Sequence, residues 1–190
     1  MTMFRLSCVA AAAALLVACG GSDDSVRGEL IDPPAVVTTL TAAQIDATTA
    51  ASGLQALSGK AKCDVKVVAL NYRTPGAKDG EMSNASGVML VPGGMCSSAA
   101  PLVANARGTE VLKTRTLANP QDGETFLLAA MYAAQGYAVV ATDYLGYAKS
   151  TYAFHPYLHA DSQATTVIDS VRAARNAADA VGAKLSGKVM

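Results

Sequence analysis

His155 and His159 are four residues apart, the separation that puts two imidazoles on one helix face as a metal pair. Pro156 lies between them and no H-E-x-x-H glutamate accompanies them, so ordering a loop is the better reading of both. Asp143 ends an apolar, β-rich run over 137–142, and carboxyl ends of strands are where catalytic groups collect. A carboxylate there can work on a substrate or accept hydrogen bonds from neighbouring loops. Ser150 and Ser162 read as a loop residue and a helix-entry residue, because neither sits in the strained G-x-S-x-G turn that exposes a nucleophile. Tyr137, Tyr144, Tyr147, Tyr152 and Tyr157 form an aromatic cluster that reads as packing over a sheet edge. Cys63 and Cys96 have no His or Asp in a ligand pattern near them; with an export signal upstream, a disulfide is the simplest use of the pair, and no metal site is expected.

That signal occupies residues 1–18. Arg5 is its only charge, and the apolar run 9–18 is too short to cross a bilayer, which takes about 20 residues. Leu16-Val17-Ala18-Cys19 resembles a bacterial lipobox, which implies lipidation of Cys19 and a membrane contact through that anchor. Asp does not follow Cys19 directly, so the outer membrane is the expected destination; the alternative is a plain secretory signal with an incidental cysteine. Residues 19–40, with Gly20-Gly21-Ser22 and Pro33-Pro34, read as a tether, and 41–190 as one domain.

The composition narrows the function classes. The 190 residues are 51% hydrophobic, enough for a single core, and 15 basic side chains balance 15 acidic ones. Without a clustered basic excess, nucleic acid is not an expected partner.

Periodicity then places the elements. Thr41 is an N-cap for a helix over 41–57, which Gly53 weakens. Runs at 65–72 and 85–91, joined by Pro-Gly and Asp-Gly turn chemistry, predict an antiparallel hairpin. A buried strand follows at 101–106, a helix at 124–135 capped by Asp122, and a strand at 137–142. A helix over 161–181 carries Ala164, Val167, Ile168, Val171, Ala174, Ala178 and Val181 at a 3.6 period, and 188–190 opens another strand. The class is α/β: an antiparallel hairpin edge followed by parallel strands with crossover helices.

This order resembles that of the N-terminal half of an α/β-hydrolase fold. Gly136-Tyr137-Ala138-Val139-Val140-Ala141-Thr142-Asp143-Tyr144-Leu145-Gly146 is similar to the fourth-strand segment of bacterial secretory-lipase-like hydrolases. His155-Pro156-Tyr157-Leu158-His159-Ala160 and Val167-Ile168-Asp169-Ser170-Val171-Arg172 resemble the same family's approach to its nucleophile strand. Arg107-Gly108-Thr109 stands where the family has a His-Gly-x oxyanion loop, making Gly108 and Thr109 the oxyanion-hole candidates. Arg107 in place of His either hydrogen-bonds the loop or fills the space of an imidazole. The resemblance implies serine-dependent cleavage of hydrophobic carboxylic esters through an acyl-enzyme, with no cofactor. It also implies that the serine, acid and histidine all lie beyond Met190, past a chain that stops within the nucleophile strand. Asp143 precedes that serine, whereas the family's acid follows it, which favours the loop-fixing role. No catalytic residue is therefore expected among these 190, and the polypeptide alone should be inactive. The rival reading is a non-catalytic outer-membrane lipoprotein, a binding or interaction module. A further possibility is that a second chain completes the fold; the sequence leaves oligomeric state open.

Overall fold

Asp64–Pro75 (β2) and Met82–Gly93 (β3) pair in register along their whole length, from Asp64 opposite Gly93 to Pro75 opposite Met82. The computed structural model describes residues 26–96 and 98–190, so the expected signal segment 1–18 and Cys19 lie outside the described residues. Strict alternation divides the hairpin between two cores. Val68, Leu70, Tyr72 and Met89 point to one face, and Val65, Val67, Val88 and Leu90 to the other.

The tether assignment of 19–40 is corrected by Ala35–Leu40 (β1), which pairs antiparallel with β2 through a bulge between Val36 and Thr38. Residues 26–31 also lie along the hairpin, with Gly28 N donating to Arg73 O and Ile31 N to Asn71 O. Neither segment alternates clearly, because each borrows its order from the backbone of β2 and one side of β1 faces water. The domain therefore begins before residue 41.

The first helix is shorter than expected. Ala42–Ser52 (α1) starts in a capping box between Thr41 and Gln44 and stops at Gly53, after which Gln55–Ser58 (α2) is one separate turn. Ala100–Asn105 (β4) leads to Gly123–Met131 (α3), capped by Asp122, whose carboxylate accepts from the Glu124 and Thr125 amides. A 3₁₀ turn at Ala133–Gln135 takes the place of the last expected turn. Ala138–Thr142 (β5) leads to Ala160–Val181 (α4), and Leu185–Val189 (β6) follows. The sheet order is β1-β2-β3-β5-β4-β6, with β4, β5 and β6 parallel and β3 antiparallel to β5.

Helix α4 covers one face and α1 and α3 the other. Ala173, Ala174, Ala177 and Ala178 form the buried stripe of α4, and such small side chains let the helix lie close on the strands. Its N-terminal half departs from the apolar pattern: Ser162, Thr166, Asp169 and Ser170 are buried while Ile168 is 50% exposed. The polar face is satisfied from the sheet and the N-terminal strap. Asp169 accepts from Thr74, Arg27 and Arg172, and the Tyr72 hydroxyl donates to Thr166 O. Among the described residues no helix is long and apolar enough to cross a membrane.

Cys63 and Cys96 form a disulfide with Cα atoms 5.5 Å apart, closing the open end of the β2–β3 hairpin. A 33-residue separation predicts that a Cys63→Ser/Cys96→Ser double variant loses about 3–4 kcal/mol in urea titration. A loss under about 1 kcal/mol would mean that the hairpin itself already restrains the unfolded chain.

Candidate functional site

Strand β4 feeds α3 on one face of the sheet, and β5 feeds α4 on the other. The loops leaving their carboxyl ends diverge there and open a crevice, the place where open α/β sheets bind ligands. A cavity of about 240 Å³ occupies it, walled by Arg107, Gly108, Thr109, Glu110, Tyr144 and His155 among others.

Beneath the cavity a charged lock joins the two loops. Arg107 leaves β4 and its side chain is 1% exposed; Nη2 donates to Glu110 Oε2 at 3.0 Å. Its Nη1 lies 3.7 Å from Asp143 Oδ1 and its Nε 3.8 Å from Glu124 Oε2, ion-pair separations without a direct hydrogen bond. Arg107 thus hydrogen-bonds the loop, one of the two roles the sequence left open. Arg115 adds a second cation, with Nη1 2.5 Å from Glu110 and Nε 2.6 Å from Asp122.

Asp143 is fully buried and is the loop-fixing acceptor the sequence favours. It accepts from the Leu117 amide at 2.7 Å, Ser86 Oγ at 2.8 Å and Thr116 Oγ1 at 2.9 Å, while its own amide donates to Ser86 O. Burial pushes its carboxyl above the usual range, against the pull of those donors and of Arg107.

Glu110 is shifted the other way, from 4.5 to about 2: the Leu112 amide holds the charged form most, burial opposes it, and Arg115 and the Val111 amide add to the pull. Arg115 also holds Asp122 low. A lowered folded value means stability that is complete above the unfolded value and lost as pH falls toward the folded one. Glu110 thus contributes to acid unfolding between pH 4.5 and about 2. Asp143 has the opposite sign: its share is greatest at low pH and declines as pH rises through its raised value. Glu110→Gln is expected to flatten the acid limb of a stability–pH profile and Asp143→Asn to leave that limb in place; an unchanged limb in Glu110→Gln would remove Glu110 from this role.

Tyr144 follows Asp143 in the left-handed region, φ 69°, with its amide on Thr142 Oγ1 and its hydroxyl toward Arg107 O. A non-glycine residue there stores about 1–3 kcal/mol and marks a position over-determined by its surroundings. At Gly146, also at positive φ, an added Cβ would come within 2.4 Å of the His155 amide, so only glycine lets the 154–155 segment fold down. His155 then sits among Tyr144, Tyr147 and Tyr157, with ring centroids 4.9–5.8 Å away, and its Nδ1 is 3.0 Å from Leu145 O. The Tyr147 hydroxyl donates to Glu110 O, tying the two loops together.

Gly108 and Thr109 are exposed at the cavity wall, and among the described residues neither backbone N–H has a protein acceptor. Two such amides can receive a carbonyl oxygen or an oxyanion. The other residues singled out in the sequence are placed elsewhere. His159 is the N-cap of α4, its Nδ1 accepting from the Ser162 amide, so the two histidines do not converge. Ser150 donates to Asn84 O in a loop, and Ser162 is buried at the start of α4. Tyr137 stands before β5, at the sheet edge opposite Tyr144, so the aromatic cluster does not include it. The described walls of the cavity contain no serine or cysteine. Glu110, Arg115 and Ser86 were not foreseen: the first two lie in a stretch without periodicity, and a mid-strand serine carries no signal of its partner.

No family model matches the chain, and no curated protein matches it. Solved structures do. The ligand-bound form of the rice cell wall degrading esterase LipA from Xanthomonas oryzae is 41% identical, with a TM-score of 0.77 over 86% of this chain and 41% of that one. Another crystal structure of the same esterase gives a TM-score of 0.76 at the same identity and coverage. A candidate hydrolase from Legionella pneumophila, 23% identical, matches in fold alone, with a TM-score of 0.73 over 84% of this chain and 42% of that one. The chain spans 41–42% of the length of these solved proteins. The mixed six-stranded sheet with helices on both faces is an α/β-hydrolase-like fold, and its similarity is to an esterase.

Proposed function

We propose that these residues form the oxyanion-loop half of a serine carboxylic-ester hydrolase, and that the 190 residues alone do not turn over esters. The observation that carries the reading is the pair of acceptor-free amides at Gly108 and Thr109, held at the carboxyl edge of β4 by the Arg107–Glu110–Asp143 lock. Acyl transfer needs a nucleophile, a base about 3 Å from it and a carboxylate behind the base. The sequence has no G-x-S-x-G and the described cavity walls offer no serine or cysteine, so the amides can polarise a carbonyl with neither of those nucleophiles beside them among the described residues. A hydrophobic ester is the substrate class, by similarity to the esterase. Purified chain incubated with short-chain nitrophenyl esters is expected to give the buffer rate. Turnover abolished by a serine-directed phosphonate would overturn the statement of inactivity while supporting the hydrolase reading.

The alternative is a binding module that uses the same cavity without chemistry. Calorimetry with a non-hydrolysable ester analogue separates the two: tight binding that persists in Gly108→Pro and Thr109→Pro, which lack the amide donors, favours the module. For location, the reading is an outer-membrane lipoprotein anchored at Cys19, supported by Leu16-Val17-Ala18-Cys19. Labelled palmitate incorporated by the wild type and not by Cys19→Ser is the expected result.

A further inference from the structure

We infer that the Asp79–Gly80 peptide is a modification site, where the backbone isomerises through a succinimide to isoaspartate, and that the fold spares Asp122–Gly123 the same chemistry. The inference rests on neither the ester-hydrolase reading nor the lipid-anchor reading.

Asp-Gly occurs twice in the chain, within Lys78-Asp79-Gly80-Glu81 and Gln121-Asp122-Gly123-Glu124. The reaction needs no reagent besides water. The glycine amide nitrogen attacks Cγ of the preceding carboxyl; an N–Cγ bond forms, and the carboxyl OH leaves with the amide proton as water. Water then opens the ring at either carbonyl. Breaking the N–Cγ bond restores aspartate. Breaking the other N–C bond leaves the chain running through Cβ and Cγ, one atom longer, with the former main-chain carbonyl as the free carboxyl. Glycine is the favourable successor because it has no Cβ to crowd the attacking nitrogen.

The two sites share the glycine, the following glutamate and open surroundings. Both glycines are exposed, and nothing lies within 4 Å of a Cβ placed on either. What differs is the hold on the carboxylate. Asp122 is the N-cap of α3, and its Oδ1 reaches past Gly123 to accept from the Glu124 and Thr125 amides at 2.9 and 3.2 Å. Arg115 donates to the same group, Nε to Oδ2 at 2.6 Å and Nη2 to Oδ1 at 3.1 Å. Ring closure there must first break these hydrogen bonds, two of which come from a guanidinium. Arg115 also holds the Asp122 carboxyl below the usual range, which depletes the neutral form that can lose its OH.

Asp79 has no such hold. It lies at the tip of the β2–β3 hairpin, in a turn closed by Glu81 N donating to Lys78 O at 3.1 Å, with Gly80 at φ 72°. Among the described residues its carboxylate has no hydrogen bond or ion pair, and the Gly80 amide has no acceptor. Bringing Cγ onto Gly80 N therefore breaks no contact of the carboxylate. In the product the added main-chain atom falls between Lys78 O and Glu81 N, so the bond that closes the turn is lost.

The full chain, isolated as the folded fraction by gel filtration, is held warm at neutral pH for several weeks, in buffer and in guanidinium chloride. Isoaspartate is quantified at each residue by electron-transfer fragmentation of the peptides and by methyl transfer from an isoaspartyl methyltransferase, with Asp79→Glu as the blank for residue 79. In buffer, isoaspartate at 79 is expected to exceed that at 122 about tenfold or more, since hydrogen bonds to a charged group must open before attack at 122. In guanidinium, where the shared Asp-Gly-Glu sequence acts without the fold, the two residues are expected to convert alike. Equal conversion in buffer, or none at 79 above the Asp79→Glu blank, overturns the inference. A bias toward 79 that persists undiminished in guanidinium overturns it as well, because flanking residues and not the fold are then the cause. Ester turnover and palmitate labelling are separate readouts, so failure here is distinguishable from failure of those readings.

Discussion

Asp143→Ala is expected to cost about 3–5 kcal/mol in urea unfolding, the range for removing one member of a buried charged network. The carboxylate accepts from Leu117, Ser86 and Thr116 and faces the buried guanidinium of Arg107. Alanine leaves three donors without a partner and a cation short of one counter-charge. Leu117, Ser86 and Arg107 are buried, so their desolvation cost stands in full, while Thr116 is half-buried and loses less. Asp143→Asn should lose less, since one amide oxygen still accepts while the NH₂ opposes a donor. The released loop gives a second readout: limited proteolysis is expected to cut within 107–117 in Asp143→Ala and not in the wild type. A loss below about 1 kcal/mol together with an intact loop would mean that Arg107–Glu110 holds the segment without Asp143.

The second large effect is expected at Gly87. A Cβ there would lie 2.3 Å from Ala141 O and 3.1 Å from Thr142 Cα, both backbone atoms that no rotamer change can move. Gly87 is also the residue that pairs with Thr142, so relief requires β3 and β5 to separate where the hairpin joins the parallel strands. Overpacking a close backbone approach usually costs about 1–3 kcal/mol, and because a strand junction must open, Gly87→Ala is placed at or above about 3 kcal/mol. Gly123→Ala is the matched comparison: nothing lies within 4 Å of its added Cβ and it begins α3, so unchanged or slightly raised stability is expected. Equal thermal midpoints for the two variants would contradict the close approach.

Most of the elements were legible because each has a local cause. The alternation at Val65-Lys66-Val67, the Asp122 cap and the long repeat ending at Gly182 are set by neighbours in the chain. The errors have a common origin in partners distant in sequence. Residues 35–40 form a strand because β2 offers an unpaired edge, which no feature of their own composition announces. The buried face of α4 is turned from its apolar stripe because Tyr72, Thr74 and Arg27 supply hydrogen bonds to Thr166 and Asp169.

The same division holds at the site. The residue types at 107–109, the carboxylate at 143 and the histidine at 155 could be singled out from spacing and from the resemblance they carry, because a motif is a local object. Cys63 and Cys96 could be paired by elimination. Tertiary structure alone decided that Arg107 is buried as the hub of a lock, that the carboxyls of Glu110 and Asp143 are displaced down and up respectively from the usual range, and that His155 joins the cavity while His159 caps a helix. Burial and charge partners set those properties through distances of a few ångströms between residues tens of positions apart in the chain, and a linear pattern does not contain such distances.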